Sequence, residues 1–323
     1  MRKKILALTA VMSLSLMCTA CEKTASLTSE SSVLNETPIV STETSVSVPE
    51  ESDPGEEPDP VIELFEGFMN GTVKAEVTEA GDRASYYRFT SAMTAGESYT
   101  LNEITTNLSS FMETDGWGKA PTLGAITSEY IDCGVDGKPD LHVTIELPVE
   151  NIEPFVTDMI VVEKDGKLVI AFDGDSWSRS QISISENGTI NDGGSSGASS
   201  VVYSTSFING NGEYVFGYKG SEDYMPGSID VFYVPIASEA VTVDISGLDL
   251  SSVCISAVCF EEKAVKDNIY ISLTNIAEGA EGACFDADTP IGQAFAAAGL
   301  KVLTADDLTA LMVTTLEERG LKY

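Results

Sequence analysis

The chain has 323 residues with 51 acidic and 18 basic side chains, a formal net charge of −33 at pH 7. A surface of that sign repels phosphate, so nucleic-acid partners are excluded, and it argues against lying on anionic lipid. It favours cations, metal ions or uncharged ligands such as sugars, and it keeps an exposed protein soluble.

The chain begins with Arg2, Lys3 and Lys4, an apolar run over residues 5–17 and small residues before a cysteine, the layout of a secretory leader. The run of about 13 residues is shorter than the roughly 20 that span a bilayer. Cys18-Thr19-Ala20-Cys21 resembles the lipobox of bacterial lipoproteins, with Cys18 where a branched aliphatic residue is usual. The resemblance implies a signal peptide over 1–20, a lipid on Cys21 and membrane contact through that lipid alone. The expected location is outside the cytoplasm, on the outer face of the cell membrane.

Residues 22–60 hold 13 Ser or Thr, 5 Pro and 10 acidic residues with no aromatic, too little apolar surface to offset chain entropy. Residues 21–60 therefore read as a disordered tether with a reach of roughly 35 Å, and 61–323 as the globular α+β domain.

Asp59 as a cap, Pro60 at the first helical position and Val61, Leu64, Phe65 and Phe68 at helical spacing predict a helix over 60–70 that Gly71 ends. A second helix is expected over 101–113, opened by the capping box of Thr100 and Glu103 and carrying Leu101, Ile104, Leu108 and Phe111.

From 125 to about 273 the signal is β. Asp132-Cys133-Gly134-Val135-Asp136-Gly137-Lys138-Pro139-Asp140 resembles the calcium loops of FG-GAP and VCBS repeats, which implies Asp132, Asp136 and Asp140 as metal ligands and calcium as a cofactor. Gly134 stands where the third ligand belongs, and the motif occurs once; the alternative is an Asp/Gly-rich turn. Leu141, Val143, Ile145 and Leu147 alternate with His142, Thr144 and Glu146 in the strand that follows. His142, the only histidine, reads as a structural residue on the polar face.

Asp165-Gly166, Asn187-Gly188, Asn209-Gly210 and Asn211-Gly212 sit between apolar runs as tight hairpin turns, so the middle reads as an antiparallel meander, continued by runs at 201–207, 213–218, 229–236, 241–245, 253–260 and 268–273. A soft domain boundary is expected at 191–200, the Gly/Ser-rich stretch. Two helices close the chain, one opened by Thr289-Pro290 and ending near Gly299, the other capped by Thr304 with Asp307 and stopped by Gly320. The expected fold is α+β, mainly an antiparallel β meander with two N-terminal and two C-terminal helices.

Phe65 with Met69-Asn70-Gly71, Tyr130-Ile131-Asp132-Cys133-Gly134, Asp136-Gly137, Asp140-Leu141, Trp177-Ser178-Arg179 and Asn187-Gly188 are together similar to surface lipoproteins of clostridial, Gram-positive bacteria. That resemblance implies no activity. Cys133, Cys254, Cys259 and Cys284 allow two disulfides in three connectivities or buried free thiols; Cys254 and Cys259 face opposite sides of a strand and are not expected to pair.

Catalytic patterns are weak. Gly193-Gly194-Ser195-Ser196-Gly197 satisfies G-x-S-x-G, but a strand follows it and no histidine does. Paired carboxylates would suffice for a glycosidase, with Asp173, Asp175 and Glu146 as candidates. Trp177, with Arg179 beside it, is the candidate ligand contact, an indole that can stack on a sugar or aromatic ring; the alternative is a half-buried core edge. The leading reading is a non-enzymatic, lipid-anchored surface module binding an extracellular ligand or an envelope protein. The alternatives are a carboxylate hydrolase acting on glycans and a solute-binding lipoprotein of a transporter.

Overall fold

The computed structural model describes residues 59–78, 92–114, 123–149, 154–224, 229–277 and 285–323. The leader, Cys21, nearly all of the tether, Trp117 and Cys284 lie outside the described residues.

The fold is α+β, and each helix starts where its cap stands. In α1 (Pro60–Met69) the Asp59 carboxylate accepts from Val61 N at 2.9 Å, satisfying one of the amides a helix start leaves unpaired. In α2 (Leu101–Thr114) the capping box closes both ways: Glu103 N donates to Thr100 Oγ1 and Thr100 N to the Glu103 carboxylate. Its buried stripe is Leu101, Ile104, Thr105, Leu108 and Met112. Phe111 is only half-buried, because four residues on from Leu108 brings Met112 under the helix.

The first sheet contains β1 (Ala75–Val77), β2 (Ser98–Tyr99), β3 (Ile126–Ile131), β4 (Asp140–Leu147), β5 (Phe155–Lys164) and β6 (Lys167–Ser176), in the order β2-β1-β6-β5-β4-β3. From β3 to β6 it is the expected meander, whereas β1 runs parallel to β6. Strands of two or three residues carry no readable period, which is why β1 and β2 escape a sequence reading. One face, with Val143, Ile145, Met159 and Ile170, is covered by Phe65, Phe68, Ile104 and Leu108 of α1 and α2.

The second sheet takes β7 (Ser180–Ile184), β8 (Thr189–Ser195), β9 (Ser200–Ile208) and β10 (Tyr214–Tyr224) in order. The chain then leaves it for a separate hairpin, β11 (Val231–Tyr233) with β12 (Thr242–Asp244), and returns as β13 (Val253–Cys259) and β14 (Ile269–Asn275). After α3 (Pro290–Ala297), β15 (Lys301–Leu303) joins parallel to β14, and α4 (Ala305–Glu318) ends the chain. The Thr289 and Thr304 hydroxyls cap these two helices as the sequence indicates.

Three apolar layers follow. Ile131, Ile160, Val162 and Phe172 of the first sheet meet Ile190 and Ile208 of the second. Phe232, Val243 and Phe295 of the β11–β12 hairpin and α3 cover Ile255, Ala257 and Ile271 on the same face of the second sheet. On its opposite face, Leu308 and Leu316 of α4 cover Phe207, Tyr218 and Val258. The meander is thus two stacked sheets, and the chain crosses between them at residues 177–179. Residues 191–200 are most of β8 and its turn into β9, inside the second sheet. Among the described residues no helix is long and apolar enough to cross a membrane.

Candidate functional site

The 132–140 loop is wired to its own backbone. Asp132 accepts from Asp136 N at 2.8 Å and Gly137 N at 3.1 Å, Asp136 from Lys138 N at 2.9 Å, and Asp140 from Cys133 N at 3.0 Å. Burial pushes the Asp140 carboxyl up to about 6, against the Cys133 amide that lowers it. Among the described residues no group of three or more His, Cys, Asp or Glu is arranged to hold a metal ion.

The loop also joins the two sheets. Asp132 N and Gly134 N donate to Glu186 O and Asn187 O in the β7–β8 turn. A Cβ on Gly134 would lie 2.1 Å from Gly210 N, and one on Gly188 would lie 2.7 Å from Cys133 Sγ. The 132–140 loop, the Asn187-Gly188 turn and the 209–212 turn are therefore nested at one sheet junction. Asp132, Cys133, Gly134, Asn187 and Gly188 meet there, so these residues have a packing role.

His142 is held between carboxylates on two neighbouring strands: Nδ1 lies 3.0 Å from Glu129 Oε1 and Nε2 2.9 Å from Asp158 Oδ1, which also accepts from Thr144 Oγ1. Burial alone would depress its pKa, but the hydrogen bonds with Asp158 and Glu129 outweigh that and raise it. With both ring nitrogens occupied, the imidazole is an ionic clamp across β3, β4 and β5 and has no lone pair open to a substrate or metal.

The hydrolase candidates do not assemble. Ser195 Oγ donates to Gly197 O in a turn between two strands, and His142 belongs to the other sheet. Asp173 and Asp175 share one face of β6 and are 0% and 2% exposed, with Thr157 Oγ1 donating to Asp175; Glu146 points from the opposite face of its sheet. The first two are closed to solvent, and the third is turned away from them.

Cys133, Cys254 and Cys259 are free and buried, so a framework of two disulfides is not formed. Burial raises all three thiols, Cys254 to about 11, which keeps them unreactive.

Trp177 and Arg179 lie in the turn from β6 to β7. Trp177 and Ser180 exchange backbone hydrogen bonds of 2.7 and 3.0 Å, which closes a two-residue turn and puts their side chains on one side of it. The indole is 41% exposed and tilts against Phe155 at 6.5 Å between centroids. It is thus half-propped by the first sheet and half open. Arg179 is exposed and reaches Ser195 O at 3.4 Å.

Ser180 also begins a polar strip. Residues directly opposite in an antiparallel ladder share a face, so the register aligns Ser180, Gly194, Val202 and Ser221 in one row and Ile182, Asp192, Ser204 and Lys219 in the next, with Ile182 at its apolar edge. Ser200 and Asp223 follow. This strip crosses the second sheet between its two apolar layers, half-buried at Ser180, Asp192, Ser204 and Lys219 and closed at Ser221. Ser180 Oγ donates to Asp192 Oδ1 at 3.3 Å and Ser221 Oγ to Asp223 Oδ2 at 3.1 Å; burial raises the Asp223 carboxyl.

Asp192 and Asp223 are not a glycosidase pair. They flank β9 four residues apart in register, roughly 17 Å between Cα atoms, where paired carboxylates need about 5–10 Å. Trp177 and Arg179 stand out in the sequence as candidates, whereas the strip does not, because β9 and β10 carry Ser, Thr and acidic residues on both faces and show no contrast until register is known. No family model, curated protein or solved structure matches the chain.

Proposed function

We propose that this chain is a lipid-anchored surface module that binds an uncharged, hydroxyl-rich polymer such as a glycan strand, with Trp177 as the stacking platform and Ser180, Asp192 and Ser204 as hydrogen-bonding groups. The observation that carries this reading is the open indole at the end of a polar strip. A sugar ring needs an apolar face and paired hydroxyl donors and acceptors, and this combination supplies both. Arg179 at the rim adds donors. The net charge selects against anionic polymers. Cys21 and its lipid keep the module at the outer membrane face, and the tether gives it reach.

Calcium is not required by this reading, because the carboxylates of Asp132, Asp136 and Asp140 serve the backbone of the 132–140 loop. Asp132→Ala is expected to lower Tm equally with calcium and with EDTA. A Tm rise with calcium that is lost in Asp132→Ala would make the loop a metal site instead.

The test is co-sedimentation of the purified protein with insoluble cell-wall and plant glycans, alongside tryptophan emission titrated with soluble fragments. Binding is expected to one neutral glycan class and to be lost in Trp177→Ala while that variant, whose Tm falls with the lost Phe155 contact, still melts in one cooperative transition. Binding that survives both Trp177→Ala and Asp192→Ala, or none across the panel, overturns the assignment. In the parent organism, Cys21→Ser is expected to move the protein from the membrane to the soluble fraction.

A further inference from the structure

The sequence contains four Asn-Gly steps, at Asn70, Asn187, Asn209 and Asn211. This dipeptide is the one most prone to self-modification, because glycine puts no side chain in the way when its backbone nitrogen approaches the asparagine side-chain carbonyl. Whether the reaction proceeds in a folded protein depends on whether the amide is free to turn.

Three of the four amides are held. Asn70 Oδ1 accepts from Thr72 N at 3.1 Å and Thr72 Oγ1 at 2.7 Å. Asn187 Oδ1 accepts from Thr189 N at 3.2 Å while its Nδ2 donates to Lys322 O at 2.8 Å. Asn209 Oδ1 accepts from Asn211 N at 2.9 Å and Glu213 N at 3.1 Å, and its Nδ2 donates to the Glu213 carboxylate. Asn211 is exposed at the tip of the β9–β10 turn, and among the described residues its side chain makes no hydrogen bond.

We propose that Asn211 is a site of spontaneous deamidation, a modification that the fold directs to this one Asn-Gly step. Gly212 N attacks Asn211 Cγ, its proton and the side-chain nitrogen leave as ammonia, and a five-membered succinimide forms. Water then opens the ring at either carbonyl, leaving aspartate or isoaspartate with one new negative charge. Gly212 N must first release Asn209 O, to which it donates at 2.8 Å, so this one half-buried turn bond sets the pace.

The product has a structural consequence. Isoaspartate adds a carbon to the backbone of a turn whose two glycines are packed against the first sheet. A Cβ on Gly212 would lie 2.8 Å from Val162 Cγ2, and one on Gly210 would lie 3.3 Å from the Asp136 side chain. Aging at Asn211 therefore loosens the junction between the two sheets.

The purified protein, held folded at mildly alkaline pH and body temperature, is digested at intervals and each Asn-Gly step is followed by fragment mass spectra for the gain of one mass unit, with a parallel sample unfolded in urea. Asn211 is expected to react at least fivefold faster than the other three, about the factor for one amide hydrogen bond that must first open, and the four rates are expected to converge in urea. Aged protein should melt lower than fresh protein, whereas Asn211→Gln should not change with time and Asn211→Asp, which adds the charge alone, should lose less. Equal rates at all four steps in the folded protein, or modification led by another asparagine, overturns the proposal.

Discussion

At the scale of single residues, the one histidine is tied into the first sheet. His142 is joined on both ring nitrogens, and its raised pKa fixes the sign of a pH effect. A base whose folded pKa lies above its unfolded value stabilises fully below that unfolded value, about 6.5 for histidine, and the contribution is lost as pH rises through the higher folded value. Asp140 acts in the same direction: its folded pKa of about 6 is above the ordinary 3.8, so its contribution is present below 3.8 and lost as pH climbs through about 6. Tm is therefore expected to fall as pH rises from 6 to 8. In His142→Gln the part of that fall above 6.5 should flatten, in thermal melts across that range. A variant melting curve with the same pH slope as the parent would remove His142 from the account. The histidine's polar-face position is legible in the 141–147 alternation. Its partners are not, since Glu129 and Asp158 reach it only through the pairing of β3, β4 and β5.

Among the elements, the helices are the most legible part of the chain, because a cap and a stripe are local. Asp59, Thr100, Thr289 and Thr304 each stand one residue before a helix, and each hydroxyl or carboxylate accepts from the first turn. The docking of α4 is not local. Gly217 sits at a bulge between Phe216 and Tyr218, and a Cβ there would lie 2.5 Å from Leu316 Cδ2 and from Thr205 O. Arg319, the residue after α4, sends its guanidinium to the Phe216, Gly217 and Phe260 carbonyls, tying the helix end to two strands. Arg319→Ala is expected to cost about 2–3 kcal/mol, the range for hydrogen bonds to a charged group with its acceptors left buried. Limited proteolysis should then cut first near residue 319. Arg319→Lys should recover only part of this, because an ammonium cannot spread over three carbonyls as the planar fork does.

For the whole molecule, the deciding feature is the stacking of two sheets. Phe172, 0% exposed, lies in the layer between them with its ring parallel to Tyr214 at 6.3 Å. Phe172→Ala is expected to cost about 3–5 kcal/mol and, because the layer is shared, to unfold both sheets in one transition. Two separated transitions by calorimetry would show that the sheets fold as independent units. The same stacking forms the candidate site: Trp177 leans on Phe155 of the first sheet while Ser180 begins the polar strip of the second, so neither sheet alone presents the pair.

The sequence by itself determines the charge, the caps of four helices and most of the apolar stripes of the first two, the hairpin turns at 165–166, 187–188 and 209–212 and the antiparallel character of the middle. All of these depend on residues within a few positions of one another. The tertiary structure alone decides that the meander folds into two sheets, that β1 and β15 join in parallel, that the aspartates of the 132–140 loop are turned onto their own amides, and which polar residues form a row beside Trp177. Those depend on register and on contacts between distant segments. A shift of one residue in pairing exchanges the faces of a strand, and where both faces are polar, as in β9 and β10, only packing selects the register.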